Sequence, residues 1–496
     1  MTRGEPLTVI CLAAGAGTRM KSRRPKMLHE IGGRSLVGHA VAAARSLAPE
    51  ALVVVVGYER EAVSVHLADI DPAAVLAVQE NYKGGTGDAA QVGLAAAPPS
   101  DTGTVVVTYG DVPLLEPDTL RDLVREHSDS SRAVTVLTAE VDDPTGYGRI
   151  VRDPAGQVRR IVEQKDASDQ ERAIREINSG IYAFDRAFLA EALDAIDTDN
   201  VQGERYLTDV VEIASKTDGV GPMLLADVWQ LEGVNDRVQL ARLGAELNRR
   251  TLDRWMHEGV TVVDPTSTWV DVTVRLAPDV TLRPGVQLHG TTQVDEGAEI
   301  GPDTTLTDVT VGADARVVRA HGIEARIGEG ASVGPFAYLR PGTDLAAGGK
   351  IGTYVETKQA TIGPGAKVPH LSYVGDATIG EGANIGAGTI FANYDGVAKH
   401  RTTVGRHCRT GSDNVFVAPV EVGDGAATGA GTVVRRNVPP GALAVSSGPQ
   451  RHIEDWVERK RPGSASDRAA EEARAAASKG AASQEKPGNG SGGAST

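Results

Sequence analysis

The sequence predicts an α/β N-terminal domain with a mostly parallel sheet, a helical connector, and then a parallel β-helix. Three observations carry this. Apolar strand segments alternate with helical patterns up to residue 235. Leucines at helical spacing fill residues 236–258. From about residue 264 a core position, most often aliphatic, returns every six residues, many times with glycine after it. The boundaries expected are 1–235 for the α/β domain, 236–259 for the linker, 260–461 for the β-helix and 462–496 for a tail.

The first strand is residues 7–12, a continuous apolar run with β-branched members. It runs into Leu12-Ala13-Ala14-Gly15-Ala-Gly17, and then Arg19, Lys21, Arg23, Arg24 and Lys26 crowd into eight residues. The chain as a whole carries a net charge of −15. A cationic loop on an acidic chain points to a small, highly charged anion and away from nucleic acid. Glycines let backbone N–H groups approach phosphate oxygens, and Arg and Lys supply the charge. The loop lacks the Gly-Lys-Ser/Thr of a P-loop. Met20 stands where a dinucleotide fingerprint needs its third glycine.

Further strands are expected at 51–56 and 104–108, with an Ala-rich helix around 88–97 between them. The last of these strands ends in Tyr109-Gly110-Asp111, where ligands bind in α/β sheets. On its own such an aspartate reads as a turn former. In the connector, Leu240, Leu243, Leu247, Leu252, Trp255 and Met256 lie at helical spacing, and Gly259 offers a stop. In the second half, Val404, Thr410, Phe416, Val422, Thr428 and Val434 hold a six-residue phase without a slip. Residues 388–403 break that phase and are expected to project as a loop. The tail has few large apolar groups, which predicts disorder over 462–496 and assigns it no role.

Composition excludes other classes. Two cysteines, Cys11 and Cys408, stand far apart, which argues against a disulfide framework and suits a reducing cytoplasm. No apolar run is long enough for a membrane span, and 41% hydrophobic with 24% charged residues is ordinary for a globular chain. Neither a membrane nor a nucleic-acid partner is expected.

The string LAAGAGTRM…PK resembles the signature of the sugar-nucleotidyltransferase family, whose N-terminal domains are Rossmann-like. Gly110-Asp111-Val-Pro-Leu, Gly85-Thr86-Gly87, Tyr147-Gly148-Arg-Ile, Val162-Glu163-Gln164-Lys, Ile177-Asn178-Ser-Gly and Gly233-Val-Asn235 match the same family in order. The resemblance implies that Leu12, Ala13, Ala14, Gly15, Lys26, Gln79, Gly85, Thr86, Tyr109, Gly110 and Asp111 bind UTP. Gly148, Glu163, Asn178 and Asn235 would complete the UDP-sugar site. Arg19 and Lys26 would be catalytic, and Asp111 with Asn235 would hold Mg²⁺. Relatives place a glutamine where this chain has Glu80. Gln79 precedes it, so either could meet the uracil.

The hexapeptides, with Val368-Pro-His370 and the Asn393-Tyr394 insert, resemble left-handed β-helix acyltransferases. Together the two halves are similar to bifunctional N-acetylglucosamine-1-phosphate uridylyltransferase/glucosamine-1-phosphate acetyltransferases, which feed bacterial cell-wall synthesis. That implies acetyl-CoA as acetyl donor, a homotrimer, and His370 as the catalytic base. It places Arg340, Lys358, Tyr373 and Asn384 on glucosamine 1-phosphate. Ala387, Asn393, Tyr394, Ser412 and Ala430 would line the acetyl-CoA site. Relatives carry an arginine where this chain has Ser447; Arg451, or Arg459 and Lys460, are the nearest substitutes. Two other readings stay open: a monofunctional nucleotidyltransferase with a regulatory β-helix, and a non-enzymatic scaffold. His370, Lys358 and the Asn393-Tyr394 insert argue against the first, and the intact Arg19, Lys26, Asp111 and Asn235 set against the second.

Overall fold

The computed structural model describes residues 6–484 apart from 82, 218, 447 and 449, so Ser447 lies outside the described residues. Contacts divide the chain into two compact units, 1–444 and 445–496.

The α/β domain is built on β1 (Leu7–Ala13), α1 (Leu36–Arg45), β2 (Ala51–Val56), β3 (Val75–Val78), α2 (Gly85–Ala96) and β4 (Thr104–Tyr109). It continues with β5 (Val134–Glu140), β6 (Gly148–Arg152), β7 (Val158–Val162), β8 (Glu176–Asp185), α3 (Asp209–Lys216) and β9 (Val220–Leu224). The sheet order is β9-β5-β8-β4-β1-β2-β3, with β6 paired to β8 and β7. β1 lies parallel to both β2 and β4, whereas β8 runs antiparallel to β4 and β5. Both faces of β1 are buried, which is why it reads as an unbroken apolar run.

Two expectations need correction. Gly85-Thr86-Gly87, which the helix expected around 88–97 leaves outside, is the first turn of α2. The Gly87 N–H donates to Arg205 O at 2.8 Å, and a Cβ on Gly85 would fall 2.5 Å from that same carbonyl. Of residues 388–403, the stretch Ile390–Ala392 stays in the coil as a strand, and only the segment around the Tyr394↔Lys399 bridge projects.

The connector is α4 (Arg237–His257), capped by Asp236, whose carboxylate accepts from Val238 N and Gln239 N. Leu243, Leu252 and Trp255 are buried, but Met256 is exposed. Arg250 clamps α4 to the α/β domain through Glu116 at 2.9 Å and Asp227 at 2.8 Å. A hairpin at Glu30–Ile31 and Arg34–Ser35 meets the β-helix through its Gly32-Gly33 turn. Val272 N donates to Gly32 O at 2.9 Å, and a Cβ on Gly33 would fall 2.3 Å from Asp271 Oδ2.

The second half is a parallel β-helix, the left-handed hexapeptide class that the resemblance implies. Leu282, Ile300, Val317, Val333, Ile351 and Val368 stack one per coil in parallel register. All six are buried in one continuous core. Each such side chain contributes about 1.5–3 kcal/mol of burial. The six-residue phase is the coil's own geometry, three short strands to a turn of the helix.

In the unit 445–496, the helices are α5 (Trp456–Lys460) and α6 (Ala465–Gln484). The second replaces the disorder expected there. Alanine repeats with interspersed Glu and Arg favour helix even without a large apolar face. Residues 485–496 lie outside the described residues.

Candidate functional site

The first cluster forms at the C-terminal ends of β1 and β4. Gly17 has φ +58°, and a Cβ there would lie 2.5 Å from Lys26 Cβ, so glycine lets the Lys26 chain pass. The Lys26 ammonium then reaches Asp111, two residues past the end of β4, in a short ion pair, and donates to Asn235 Oδ1 at 3.1 Å. Arg19 Nη2 donates to the same Asn235 oxygen at 2.8 Å. Val234 N donates to Asp111 O at 2.9 Å, which fixes the Asn235 segment against β4. Four residues from three distant segments thus meet at one point. Asp111 and Asn235 both present oxygens to one cation, the hard-donor pair that Mg²⁺ takes alongside phosphate oxygens and water. Among the described residues no group of three or more His, Cys, Asp or Glu could hold a metal ion.

Beside this cluster a cleft of about 580 Å³ is lined by Arg23, Gly57, Gln79 and Glu80. Gln79 is buried, and its amide donates to Gly85 O at 3.1 Å and Asp88 Oδ2 at 2.8 Å. Glu80 turns outward to pair with Arg60 at 2.8 Å. Thr86 Oγ1 accepts from Leu207 N at 3.0 Å.

Gly148, Asn178 and Glu163 form a row across β6, β8 and the end of β7. A Cβ on Gly148 would lie 3.4 Å from both Asn178 Cβ and Glu163 Oε1. Tyr109 packs against Gly180 at the edge of this region. Burial raises the Tyr109 hydroxyl pKa, with the Glu163 and Asp111 charges adding to it. Glu163 is also raised, by burial first and then by Asp166 and Asp209. Asp209 itself is pushed up to about 6 by burial and by Asp197, Glu212 and Asp166. Both cysteines are buried and free, and burial holds Cys11 at about 12, out of reach as a nucleophile.

The second cluster lies on the β-helix. Arg340 pairs with Glu356 at 2.9 Å, and Lys358, one coil on, pairs with Asp376 at 3.3 Å. Asn393 donates to Asp376 in a short contact and approaches Tyr373 Oη at 3.4 Å. Sequence reasoning missed Lys399 in the projecting loop. Its ammonium is held below its ordinary range by Lys358 and, more weakly, Arg340, so three cations converge. The loop is pinned by His400 on Asp395 at 2.7 Å and by Arg401 on Thr378 Oγ1 at 2.9 Å. Its place in the segment that breaks the six-residue phase was the available signal.

His370 closes its strand opposite Thr353, with its carbonyl accepting from Ser372 Oγ at 2.7 Å. Its ring is exposed and, among the described residues, has no protein hydrogen-bond partner. Asn384 bridges Lys367 and Arg409 in neighbouring coils. Ala387 O accepts from Asp413 N at 2.7 Å, and Ser412 O accepts from Gly431 N at 2.8 Å. A Cβ on Gly386 would lie 2.1 Å from Gly411 O, and one on Gly411 would lie 2.4 Å from Ala430 N. Ala387, Ser412 and Ala430 therefore sit on stacked turns of small residues, a smooth track along the helix axis.

A family model described as a MobA-like NTP transferase domain matches residues 9–180. The chain is 60% identical over 469 residues to a bifunctional protein GlmU from Kineococcus radiotolerans, covering 94% of this chain and 95% of that protein. A protein of the same name from Streptomyces avermitilis is 60% identical over 473 residues, covering 95% and 98%. One from Pseudarthrobacter chlorophenolicus is 59% identical over 474 residues, covering 95% and 96%.

Proposed function

The chain belongs to the bifunctional GlmU family, and from that premise we infer that it makes UDP-N-acetylglucosamine in two steps. The feature that supports this reading is two separate clusters of basic and polar side chains on one chain, Arg19, Lys26, Asp111 and Asn235 in the first half and Arg340, Lys358, Asp376 and Asn393 in the second.

In the β-helix domain (260–461), the amine of glucosamine 1-phosphate attacks the acetyl-CoA thioester. A C–N bond forms, the C–S bond breaks, and coenzyme A leaves as its thiol. His370 takes the amine proton, and its lack of a protein partner leaves a ring nitrogen available for it. Arg340, Lys358 and Lys399 hold the sugar phosphate, with Tyr373 and Asn384 beside it. Acetyl-CoA lies along the small-residue track of Ala387, Ser412 and Ala430, flanked by Asn393 and Tyr394.

In the α/β domain (1–235), a phosphate oxygen of N-acetylglucosamine 1-phosphate attacks the α-phosphorus of UTP, and pyrophosphate leaves. No covalent enzyme intermediate is needed, so positioning and charge do the work. Leu12, Ala13, Ala14 and Gly15 bring backbone to the phosphates, and Arg19 and Lys26 neutralise them. Gln79, Gly85 and Thr86 form the uracil side, with Gln79 favoured over Glu80 because it faces the start of α2. Tyr109, Gly110, Gly148, Glu163 and Asn178 form the sugar side. Asp111 and Asn235 would hold Mg²⁺, which when bound offsets the charge of both substrates' phosphates.

We further infer a homotrimer working in the cytoplasm, without nucleic-acid or membrane partners. The exposed Phe336–Tyr354 stack, with centroids 5.3 Å apart, supplies an apolar face for a second copy. No described helix is long and apolar enough to cross a membrane. The deciding experiment incubates the protein with glucosamine 1-phosphate, acetyl-CoA, UTP and Mg²⁺, following free coenzyme A and UDP-sugar together. Both products are expected. UDP-sugar formed only from supplied N-acetylglucosamine 1-phosphate, with no thiol released, would leave a monofunctional nucleotidyltransferase.

A further inference from the structure

We propose that Arg149 is a positioning residue for the sugar subsite, pinning the row Gly148–Asn178–Glu163 from the opposite face of the sheet. This rests on the uridylyltransferase reading of that row.

Arg149 sits in β6 between β7 and β8, opposite Val162 on one side and Ile177 on the other. Its neighbour Gly148 is opposite Asn178, and Glu163 follows Val162. Side chains alternate across a sheet, so Arg149 faces away from the row that its backbone helps to form. There it is one of the largest fully buried side chains of the protein, 1% exposed.

Its guanidinium ties together residues of three segments that lie outside the strands themselves. One nitrogen donates to Tyr147 O, in the turn entering β6, in a short hydrogen bond. The other donates to Gln164 Oε1, just after Glu163, at 2.6 Å, and reaches Arg172 O at 3.5 Å. Gln164 Oε1 also accepts from Gly146 N at 3.3 Å, which closes the knot. Arg149 therefore fixes both the turn that delivers Gly148 and the segment that delivers Glu163.

Burying a guanidinium against neutral acceptors is costly, and among the described residues Nε has no hydrogen-bond partner. Packing alone would be served by leucine or methionine at no such cost. What arginine adds is a fork of donors in fixed geometry, able to hold several carbonyls at once. Its charge has a second use. Glu163 is pushed toward its neutral form by burial and by Asp166 and Asp209, and Arg149 opposes them. The hydroxyls of Tyr109, Tyr182 and Tyr206 are the other titratable groups whose ionisation Glu163 disfavours.

The test varies N-acetylglucosamine 1-phosphate and UTP separately on the full chain carrying Arg149→Met, Arg149→Lys or Gln164→Leu. For Arg149→Met the sugar-phosphate KM should rise about tenfold or more, with the UTP KM within about twofold and kcat within about threefold. Arg149→Lys, which keeps the charge but not the fork, should fall between, and Gln164→Leu should shift the same KM. Acetyl transfer should not change. An unchanged sugar-phosphate KM, or an equal rise in both KM values, overturns the proposal. If Arg149→Met does not fold, Lys and Leu variants with an unchanged sugar-phosphate KM do the same. Failure of the unmutated chain to make UDP-sugar counts against the functional reading instead, so the two failures are distinguishable.

Discussion

The two halves of this chain assemble their sites in opposite ways. In the α/β domain, Lys26 meets Asp111 across 85 positions and Asn235 across 209, and Arg19 meets Asn235 across 216. On the β-helix, Arg340 meets Glu356 across 16, Lys358 meets Asp376 across 18, and Asn393 meets Asp376 across 17. The first site requires a whole domain closed on the start of its connector. The second requires only that neighbouring coils stack. Contacts of long sequence separation carry a loop-closure cost that stacked repeats avoid. Damage should therefore spread through the first half and stay confined in the second.

Asp111→Ala tests the contrast most severely. It leaves the Lys26 ammonium facing only Asn235, and uridylyl transfer should fall by about 10³-fold or more while thiol release from acetyl-CoA is kept. Pyrophosphate release and free thiol, read on one sample, would show it. Equal loss of both would break the picture of two independent sites. His370→Ala is the reciprocal experiment, with acetyl transfer down about 10²–10⁴-fold and UDP-sugar formation from N-acetylglucosamine 1-phosphate intact.

Smaller effects sharpen the comparison. Lys399→Ala removes one of three converging cations and should raise the glucosamine 1-phosphate KM about tenfold, with kcat little changed. Asp209→Asn should stabilise the α/β domain by about 1 kcal/mol at neutral pH, after allowance for partial solvent exposure. The Asp209 carboxyl is pushed up to about 6 in the fold, from an ordinary 3.8. Below about pH 4 the carboxyl is protonated in both states, and asparagine gains nothing. As pH rises through 6 the native chain must accept a charge it resists, so the gain appears between those values and persists above. Thermal unfolding at pH 4 and pH 7.5 would measure it, and an equal Tm shift at both would refute the cause.

What the sequence made legible follows the same division. The hexapeptide phase is a local pattern, and Val404, Phe416, Val422 and Val434 are all in the core. The basic loop was legible because glycines and cations sit within a few residues of a strand end. Three other features were not. Glu80 and Gln79 are adjacent, and only burial of one and the Arg60 partner of the other tell them apart. Lys399 gains meaning only from the neighbouring Lys358, whose charge holds its ammonium below the ordinary range. The helix over Ala465–Gln484 was hidden because scarcity of large apolar groups reads as disorder, although alanine needs no core to favour helix.

The stack has a consequence for ancestry and engineering. Every candidate acetyl-transfer residue lies at Arg340 or beyond, whereas the hairpin from the α/β domain rests on Val272 in an early coil. The coils between carry repeating core and turn residues, each paired to the next in parallel register, and Phe336 of the exposed aromatic stack comes only in the last of them. Whole coils could be added or deleted there over generations, changing the length of the stalk and the distance between the two sites. Neither chemistry would notice, so the interval is a ruler whose unit is one coil.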